Sequence, residues 1–387
     1  MKKIIKKIYA LEDIERYARK HLPRPIFGYV SGGSETNSSL RENRRIFEDY
    51  KFTPRILKNV SNRTTETKLF GQSWSAPFGI SPMGVSALAA YRGDLVLAEA
   101  AKKSSVPMIM SGSSLIPMED VISLAPETWF QAYLPGESDR IEKLIGRVEK
   151  AGFKTLILTV DVAVMAGREN NLRSGFSTPL RPSLRLAYDG ITHPKWTLNT
   201  FLRTILLHGM PHFENFFATR GEPIFSSSVN RDFGQRANLN WKHLEQIRKQ
   251  WKGNLIVKGI LDKDDAIIAK EIGAEGIIIS NHGGRQLDSA ISSLEALENI
   301  VPHLKDVTIM VDSGFRRGND ILKALVIGAD FVFIGRPFLY AASIAGLEGV
   351  EHAINLLKDE IDRNMALLGI NSLEELNSSF LRRKKDI

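Results

Sequence analysis

The sequence predicts one (β/α)8 barrel with an N-terminal helical extension and a long insert after the fourth strand. Three observations predict it. Eight short apolar runs recur between residues 77 and 336, amphipathic stretches separate them, and polar residues gather at their C-terminal ends. Apolar runs alternating with helical stretches are the signature of βα units on a parallel sheet. One such barrel takes roughly 250 residues. The chain has 387, so a single domain over 1–387 fits better than two balanced ones. The barrel then occupies about 70–360 and the insert about 176–238.

Residues 8–21 read as a helix with Leu11, Ile14 and Tyr17 on one face. Pro23 and Pro25 break that pattern, Ser31-Gly32-Gly33 reads as a turn, and residues 39–49 read as a second short helix. The strand runs are 77–82, 107–112, 129–133, 155–161, 255–259, 276–281, 307–314 and 331–336. Each is nearly continuous in apolar residues, as strands buried on both faces should be. Helical stretches lie between them at 91–104, 137–151, 262–272 and 319–327.

One spacing is anomalous. About 100 positions separate Thr155 from Leu255, where ~30 is usual for one βα unit. The insert carries Phe176, Leu180, Leu184, Leu186, Trp196, Leu198, Phe201, Leu202, Ile205, Leu206, Leu207, Phe213, Phe216 and Phe217, interleaved with Arg181, Arg185, Lys195 and Arg203. So apolar a loop must be covered by something. A lid over the barrel mouth, a subunit contact and a monotopic membrane patch all satisfy that demand, and composition alone does not choose among them. Residues 221–238 read as polar and mobile.

Composition excludes several classes. Without cysteine there is no disulfide, no thiolate catalysis and no cysteine-ligated metal, and no metal site is expected. The net charge of +8 is densest at Lys2, Lys3, Lys6 and Lys7 and at Arg382, Arg383, Lys384 and Lys385. Such runs read as solvated tails rather than a nucleic-acid stripe. If they have a partner, an anionic membrane surface is the better candidate. The start MKKIIKKIYA is followed at once by Glu12, Asp13 and Glu15, so no signal-peptide core forms. No run reaches the ~18 apolar residues of a membrane span. The expectation is a protein kept on the cytoplasmic side.

Barrel enzymes carry their catalytic groups at the C-terminal ends of the strands. There the sequence places Ser111, Gln131 and Tyr133, Thr159 and Asp161, Lys258, Ser280-Asn281-His282, Asp312 and Gly314, then Gly335 and Arg336. Polar groups inside apolar runs are costly unless partnered, so their recurrence at matching positions argues for a site. In the segment SNHGGRQLD (280–288), His282 is suited to accept a proton near neutral pH. Arg285 can bind a planar carboxylate through two parallel hydrogen bonds. Gly283 and Gly284 permit a tight turn and close approach to a ligand. A 2-hydroxy acid offers both a hydroxyl to deprotonate and a carboxylate to hold. A lone histidine is more often structural, but Arg285 and two glycines beside it reverse that weighting. Asp312–Gly318 and Ile334-Gly335-Arg336 read as a phosphate site after strands 7 and 8, with Arg316 and Arg336 adding charge. No G-x-G-x-x-G opens a βαβ unit, which argues against a nicotinamide site. Lys258 suits either a cation near a flavin ring or a Schiff-base lysine.

SNHGGRQLD, with LTVD, LIVKG, DSGFRRG and FIGRP in this order, closely resembles the FMN-dependent L-2-hydroxy acid dehydrogenases and oxidases. That family includes L-lactate dehydrogenase, (S)-mandelate dehydrogenase and glycolate oxidase. The resemblance runs from LPRPIFGYVSGG to about residue 380. It implies FMN as cofactor, and His282 as the base with Asp161 orienting it. Arg285, Tyr29 and Arg168 would hold the substrate carboxylate, and Tyr133 would contact the substrate oxygen. Ser111, Gln131, Thr159 and Lys258 would surround the isoalloxazine, with Pro82, Met83 and Gly84 over it and Ser280 on the ribityl side. Asp312 would bind ribityl, and Gly314, Arg316, Gly335 and Arg336 the phosphate. Oxidase members commonly read Pro-Thr-Ala where this chain reads Pro82-Met83-Gly84. Gly84 therefore implies more room above the ring, favouring a larger substrate or an acceptor other than oxygen.

DGITHPKW and LHGMPHFENF resemble the segment that attaches mandelate dehydrogenase to membranes, and THPKW also resembles L-lactate dehydrogenase. This implies peripheral contact with the inner membrane through about 176–220, a quinone-like acceptor, and the homotetramer usual for the family. The implied reaction converts an L-lactate- or (S)-mandelate-type acid to its 2-keto acid. An oxygen-dependent oxidase or monooxygenase is the rival within the fold. A colourless barrel binding a phosphorylated metabolite is the rival outside it.

Overall fold

Eight short parallel strands close on themselves in the computed structural model, which describes residues 4–177, 183–226 and 234–384. They are β1 (Phe78–Ile80), β2 (Ile109–Ser111), β3 (Trp129–Ala132), β4 (Thr155–Thr159), β5 (Asn254–Ile260), β6 (Gly276–Ile279), β7 (Thr308–Val311) and β8 (Phe331–Ile334). All eight fall within or beside the predicted runs. Each pairs with its sequence neighbours, and β8 pairs with β1. A bridge between Ile80 and Met108 completes the circle between β1 and β2.

That last seam is tight. A Cβ on Gly79 would lie 2.6 Å from the Pro107 carbonyl oxygen and 2.7 Å from the Phe333 ring. Only glycine lets β1 approach β2 while Phe333 fills the interior.

Inside, the two-residue period of a strand sorts the side chains. Ile109, Trp129, Ile157, Ile256, Ile278, Met310, Phe331 and Phe333 form one buried inner layer, against which Leu69, Phe70 and Trp74 of a small hairpin pack. Their strand neighbours, such as Leu156, Leu158, Leu255, Val257, Ile277 and Ile279, point outward into the core beneath the helices. Those helices include Gly93–Ser104, Ser138–Ala151, Lys263–Glu271 and Gly318–Ile327, close to the predicted stretches. Ser138–Ala151 buries Ile141, Leu144, Ile145 and Val148, one stripe of a 3.6-residue repeat.

Two expectations need correction. Pro23 and Pro25 start a helix, Arg24–Ser31, rather than merely ending one, because proline fits the first turn where no amide donor is needed. The C-terminal basic run is not a free tail. Leu381–Arg383 pairs antiparallel with Tyr50–Phe52, and Arg383 bonds Glu298 at 2.7 Å. Lys6, Lys7, Arg382 and Lys384 are exposed, while Lys2, Lys3 and Lys385 lie outside the described residues.

The insert divides by face. Leu184–Thr192 is helical, and helical turns of varying pitch continue from Pro194 to His208. Phe176, Trp196, Phe213 and Phe216 are buried in the main core. Leu184, Leu198, Leu206 and Leu207 are between 60% and 92% exposed. Leu180 and Arg181 lie outside the described residues, as do 227–233 of the stretch expected to be polar and mobile. Within that stretch Ile224 and Arg236 are buried, contrary to expectation.

Replacing Gly79 with alanine should cost about 1–3 kcal/mol, seen as a lower midpoint in urea unfolding at constant slope. An unchanged midpoint would show that the seam has slack.

Candidate active site

One step above the apolar layer the inward positions turn polar: Ser111, Gln131, Thr159, Lys258, Ser280 and Asp312, all buried. Ser111 donates to Gln131 Oε1 at 3.1 Å. Lys258 donates to Ser280 Oγ at 2.7 Å and pairs with Asp312 at 2.9 Å. Burial opposes the Asp312 carboxylate, yet Lys258 and the Ser81 hydroxyl hold its pKa below the ordinary range. Gln131 Nε2 and Thr159 Oγ1 find no hydrogen-bond partner among the described residues. Unpaired buried polar atoms cost roughly 1–3 kcal/mol each, so these two mark an unfilled demand.

Above the ring stands His282. Its Nδ1 lies 2.9 and 3.0 Å from the two Asp161 oxygens, and its Nε2 faces the Tyr133 hydroxyl at 3.4 Å. The carboxylate makes Nδ1 the protonated nitrogen and leaves Nε2 as acceptor. Burial lowers the His282 pKa and the Asp161 charge works against that, with the net result below the ordinary value. Burial, then Asp161, pushes the Tyr133 phenol up. A β-bulge between Lys258 and Ile260 lies directly beside Asp161. Gly259 sits in that bulge at φ +106°, and a Cβ on it would lie 2.7 Å from Asp161 Cβ.

His282, Gly283 and Gly284 run through left-handed backbone in succession, at φ +57°, +65° and +71°. The close approach expected of Gly284 is to protein. Its Cβ would lie 2.5 Å from the Leu40 amide nitrogen. Asp288 helps clamp the same N-terminal segment, accepting from the Thr36 and Ser39 amides at 2.9 and 3.0 Å.

Arg285 Nη1 donates to the Tyr29 and Gly32 carbonyls at 2.7 and 2.8 Å. Carbonyls orient a guanidinium but do not neutralise it. Burial and neighbouring Arg168 lower the Arg285 pKa to about 9, so an anion here would be strongly favoured. Arg168 bonds the Arg285 carbonyl and Gln286. At the far end Arg336, likewise buried, donates to Val30, Gly32 and Gly283 carbonyls. It opens the helix Arg336–Ala345, whose N-cap is Gly335. Gly314, at φ +90°, packs its Cα face on Asn43. A helix N-terminus with Arg316 and Arg336 beside the cavity is an arrangement that would suit an anion.

Of the predicted residues, Tyr29, Pro82, Met83, Gly84, Tyr133, Thr159, Arg168, Lys258, His282, Arg285, Asp312, Gly314, Arg316, Gly335 and Arg336 line one continuous cavity. Ser111, Gln131, Asp161 and Ser280 lie behind that wall. Gly84 does not open a void as expected. A Cβ there would lie 2.9 Å from Ser113 Cβ and 3.4 Å from the Tyr29 hydroxyl, so the glycine avoids a clash.

Residues 18–383 match the model of FMN-dependent dehydrogenases. The chain belongs to that family. It is 35% identical over 378 residues to (S)-mandelate dehydrogenase of Pseudomonas putida, covering 97% of this chain and 94% of that one. It is 36% identical over 381 residues to L-lactate dehydrogenase of Yersinia pestis (strain Pestoides F), covering 97% and 98%. A solved structure described as monotopic membrane protein (S)-mandelate dehydrogenase superposes with a TM-score of 0.87 at 35% identity, covering 97% and 99%.

The family's FMN fits this cavity on its own terms. Two orphaned polar atoms belong to the polar ring, and at one end the cavity is lined by Arg316 and by Arg336, which opens a helix. Sequence reasoning missed Ser81, which bonds Asp312 at 2.9 Å. It also missed Ser313, which bonds Asp312 and receives the Gly283 amide, both at 3.0 Å. Both adjoin predicted positions, and Ser81 shares the inward phase of the ring. The reciprocal Asn43–Asn281 amide pair, at 2.7 and 2.8 Å, had no local signal.

Replacing Asp161 with asparagine should lower the His282 pKa further, because the lost charge is the one that raises it. Imidazole NMR titration measures this, and an upward shift would contradict the assignment.

Proposed function

We propose that this chain oxidises an L-2-hydroxy acid of the L-lactate or (S)-mandelate type to its 2-keto acid as a single domain. The observation that carries the reading is the His282 Nε2, free to accept a proton, beside Tyr133 and the buried Arg285. The substrate carboxylate takes the Nε–Nη2 edge of Arg285, which bonds no described residue, with Arg168 and Tyr29 beside it. The substrate hydroxyl then faces His282 and Tyr133. His282 accepts the hydroxyl proton as the carbinol carbon is oxidised, and Asp161 stabilises the imidazolium. Bound FMN supplies the two-electron acceptor.

Ser111, Gln131, Thr159 and Lys258 would hold the isoalloxazine beneath Pro82, Met83 and Gly84, with Ser280 and Asp312 toward ribityl. Gly314, Arg316, Gly335 and Arg336 would take the phosphate. The Lys258–Asp312 ion pair supports the flavin role over a Schiff base, which needs a neutral amine.

We further propose that the exposed leucines of the insert sit in a membrane interface and that the electrons pass to a quinone there. Leu184, Leu198, Leu206 and Leu207, with Lys195 and Arg203, form the pattern of an interfacial helix. No helix among the described residues is long and apolar enough to cross a membrane.

With His282 replaced by alanine, anaerobic flavin reduction by L-lactate or (S)-mandelate should slow by about 10²–10⁴, with FMN still bound. Rapid bleaching would refute the base. In the wild type, kcat/KM should rise as pH climbs through the lowered His282 value and level off by neutrality, since only the neutral imidazole accepts a proton. Replacing Leu202 and Leu206 with glutamate should abolish cosedimentation with anionic vesicles while dye-linked turnover persists. Unchanged binding would remove the membrane assignment, and stoichiometric peroxide would replace the quinone with oxygen.

A further inference from the structure

Asp94 is a buried carboxylate that the proposed reaction leaves unused. It stands in the first turn of the helix Gly93–Ser104 and is 1% exposed. Its Oδ2 accepts two hydroxyl hydrogen bonds, from Ser86 and, at 2.7 Å, from Ser114. The segments that supply them, Ser86–Ala89 and 113–118, carry no ionisable side chain. Arg92 is occupied by Asp120 at 3.0 Å, and Glu214, whose amide bonds the Ser114 carbonyl, by Arg220 at 2.8 Å. Burial thus pushes the Asp94 pKa up to about 6, against the pull of the two serines and of its own amide.

Both serines hold one wall of the cavity. Ser86 follows Gly84 and Val85, and Val85 sits at φ +51°. Left-handed backbone is strained for a β-branched residue, so the surrounding structure must hold it there. The Val85 amide donates to the Ser113 carbonyl at 3.1 Å, and Gly84, Val85 and Ser113 all line the cavity. Asp94 bridges the same two loops one residue further on, through Ser86 and Ser114. The Ser114 hydroxyl has a second acceptor in reach, the Ile116 carbonyl at 3.3 Å. An ionised Asp94 outcompetes that carbonyl, because a hydrogen bond to a charged acceptor is roughly twice as strong. A neutral carboxyl loses that advantage, and the bridge that holds Val85 loosens.

We propose that Asp94 is a positioning residue for flavin reduction: as a carboxylate it pins Ser86 to Ser114 and so holds Gly84 and Val85 in the wall that the isoalloxazine and the substrate share. This rests on the proposed reaction and adds to the neutral His282 a second group that must be deprotonated.

The test uses FMN-loaded enzyme. Anaerobic flavin reduction by L-lactate and (S)-mandelate and the visible spectrum of the resting flavin are followed from roughly pH 4.5 to 8. In the wild type, reduction should fall more steeply than first order in protons below about pH 6, because two groups must be deprotonated, and the resting spectrum should change with a midpoint there. Asp94→Asn should show a first-order fall only, lose that spectral midpoint, and reduce flavin about tenfold or more slowly at the alkaline end with FMN still bound. Ser114→Ala should move the midpoint upward, because it deletes a donor to the charged form. A first-order wild-type limb, or an Asn profile parallel to the wild type, would overturn the proposal. Where the Asn variant does not fold, an unmoved midpoint in Ser114→Ala overturns it alone. Absence of bleaching by any 2-hydroxy acid would instead overturn the reaction, and the positioning role with it, even if the spectral midpoint persists.

Discussion

The two-residue period of eight short strands is the constraint on which the rest depends. An eight-stranded barrel has room inside for side chains and nothing else. Ile157, Ile256, Ile278 and Met310 fill one level. The next inward positions are then forced to the top, and there the chain carries Thr159, Lys258, Ser280 and Asp312. The apolar floor excludes water from below, so the polar ring meets a low dielectric on one side and a ligand on the other. Its unpaired atoms, Gln131 Nε2 and Thr159 Oγ1, are affordable only if something polar arrives.

Above the ring, the site is assembled from distant pieces of chain. Carbonyls of Tyr29, Val30 and Gly32 orient Arg285 and Arg336. The N-terminal segment reaches them because Gly284 leaves room against Leu40 and Asp288 ties down Thr36 and Ser39. The insert supplies the opposite wall through Phe176 and Phe213, while Trp196 anchors it by bonding the Leu88 carbonyl at 2.8 Å. Two buried guanidiniums held by neutral carbonyls are ordered, and among the described residues neither pairs with a carboxylate, which is what an anion site requires.

Much of this was readable from residue order. Strand positions follow from apolar runs, and the polar ring follows from strand phase, so Lys258 and Asp312 were legible before any contact was known. His282 and Arg285 were legible because one short loop carries both. Ser313 could have been found beside Asp312. Arg236 could not: it sits in a stretch of ordinary polar composition, and only the folding back of the insert's last residues buries it against Tyr133. Gly84 was legible as a residue and misread as a space, because the occupant of that space, Ser113, comes from another strand end.

The order of residues by itself determined the barrel, its polar rim and the chemistry of the His282 loop, since each depends on spacing within one or two elements. Tertiary structure alone decided which face of the insert is buried, which glycines meet protein rather than ligand, and where Arg236 stands. Those outcomes turn on close approach between segments far apart in sequence, and sub-ångström clearances of that kind leave no periodic trace along the chain.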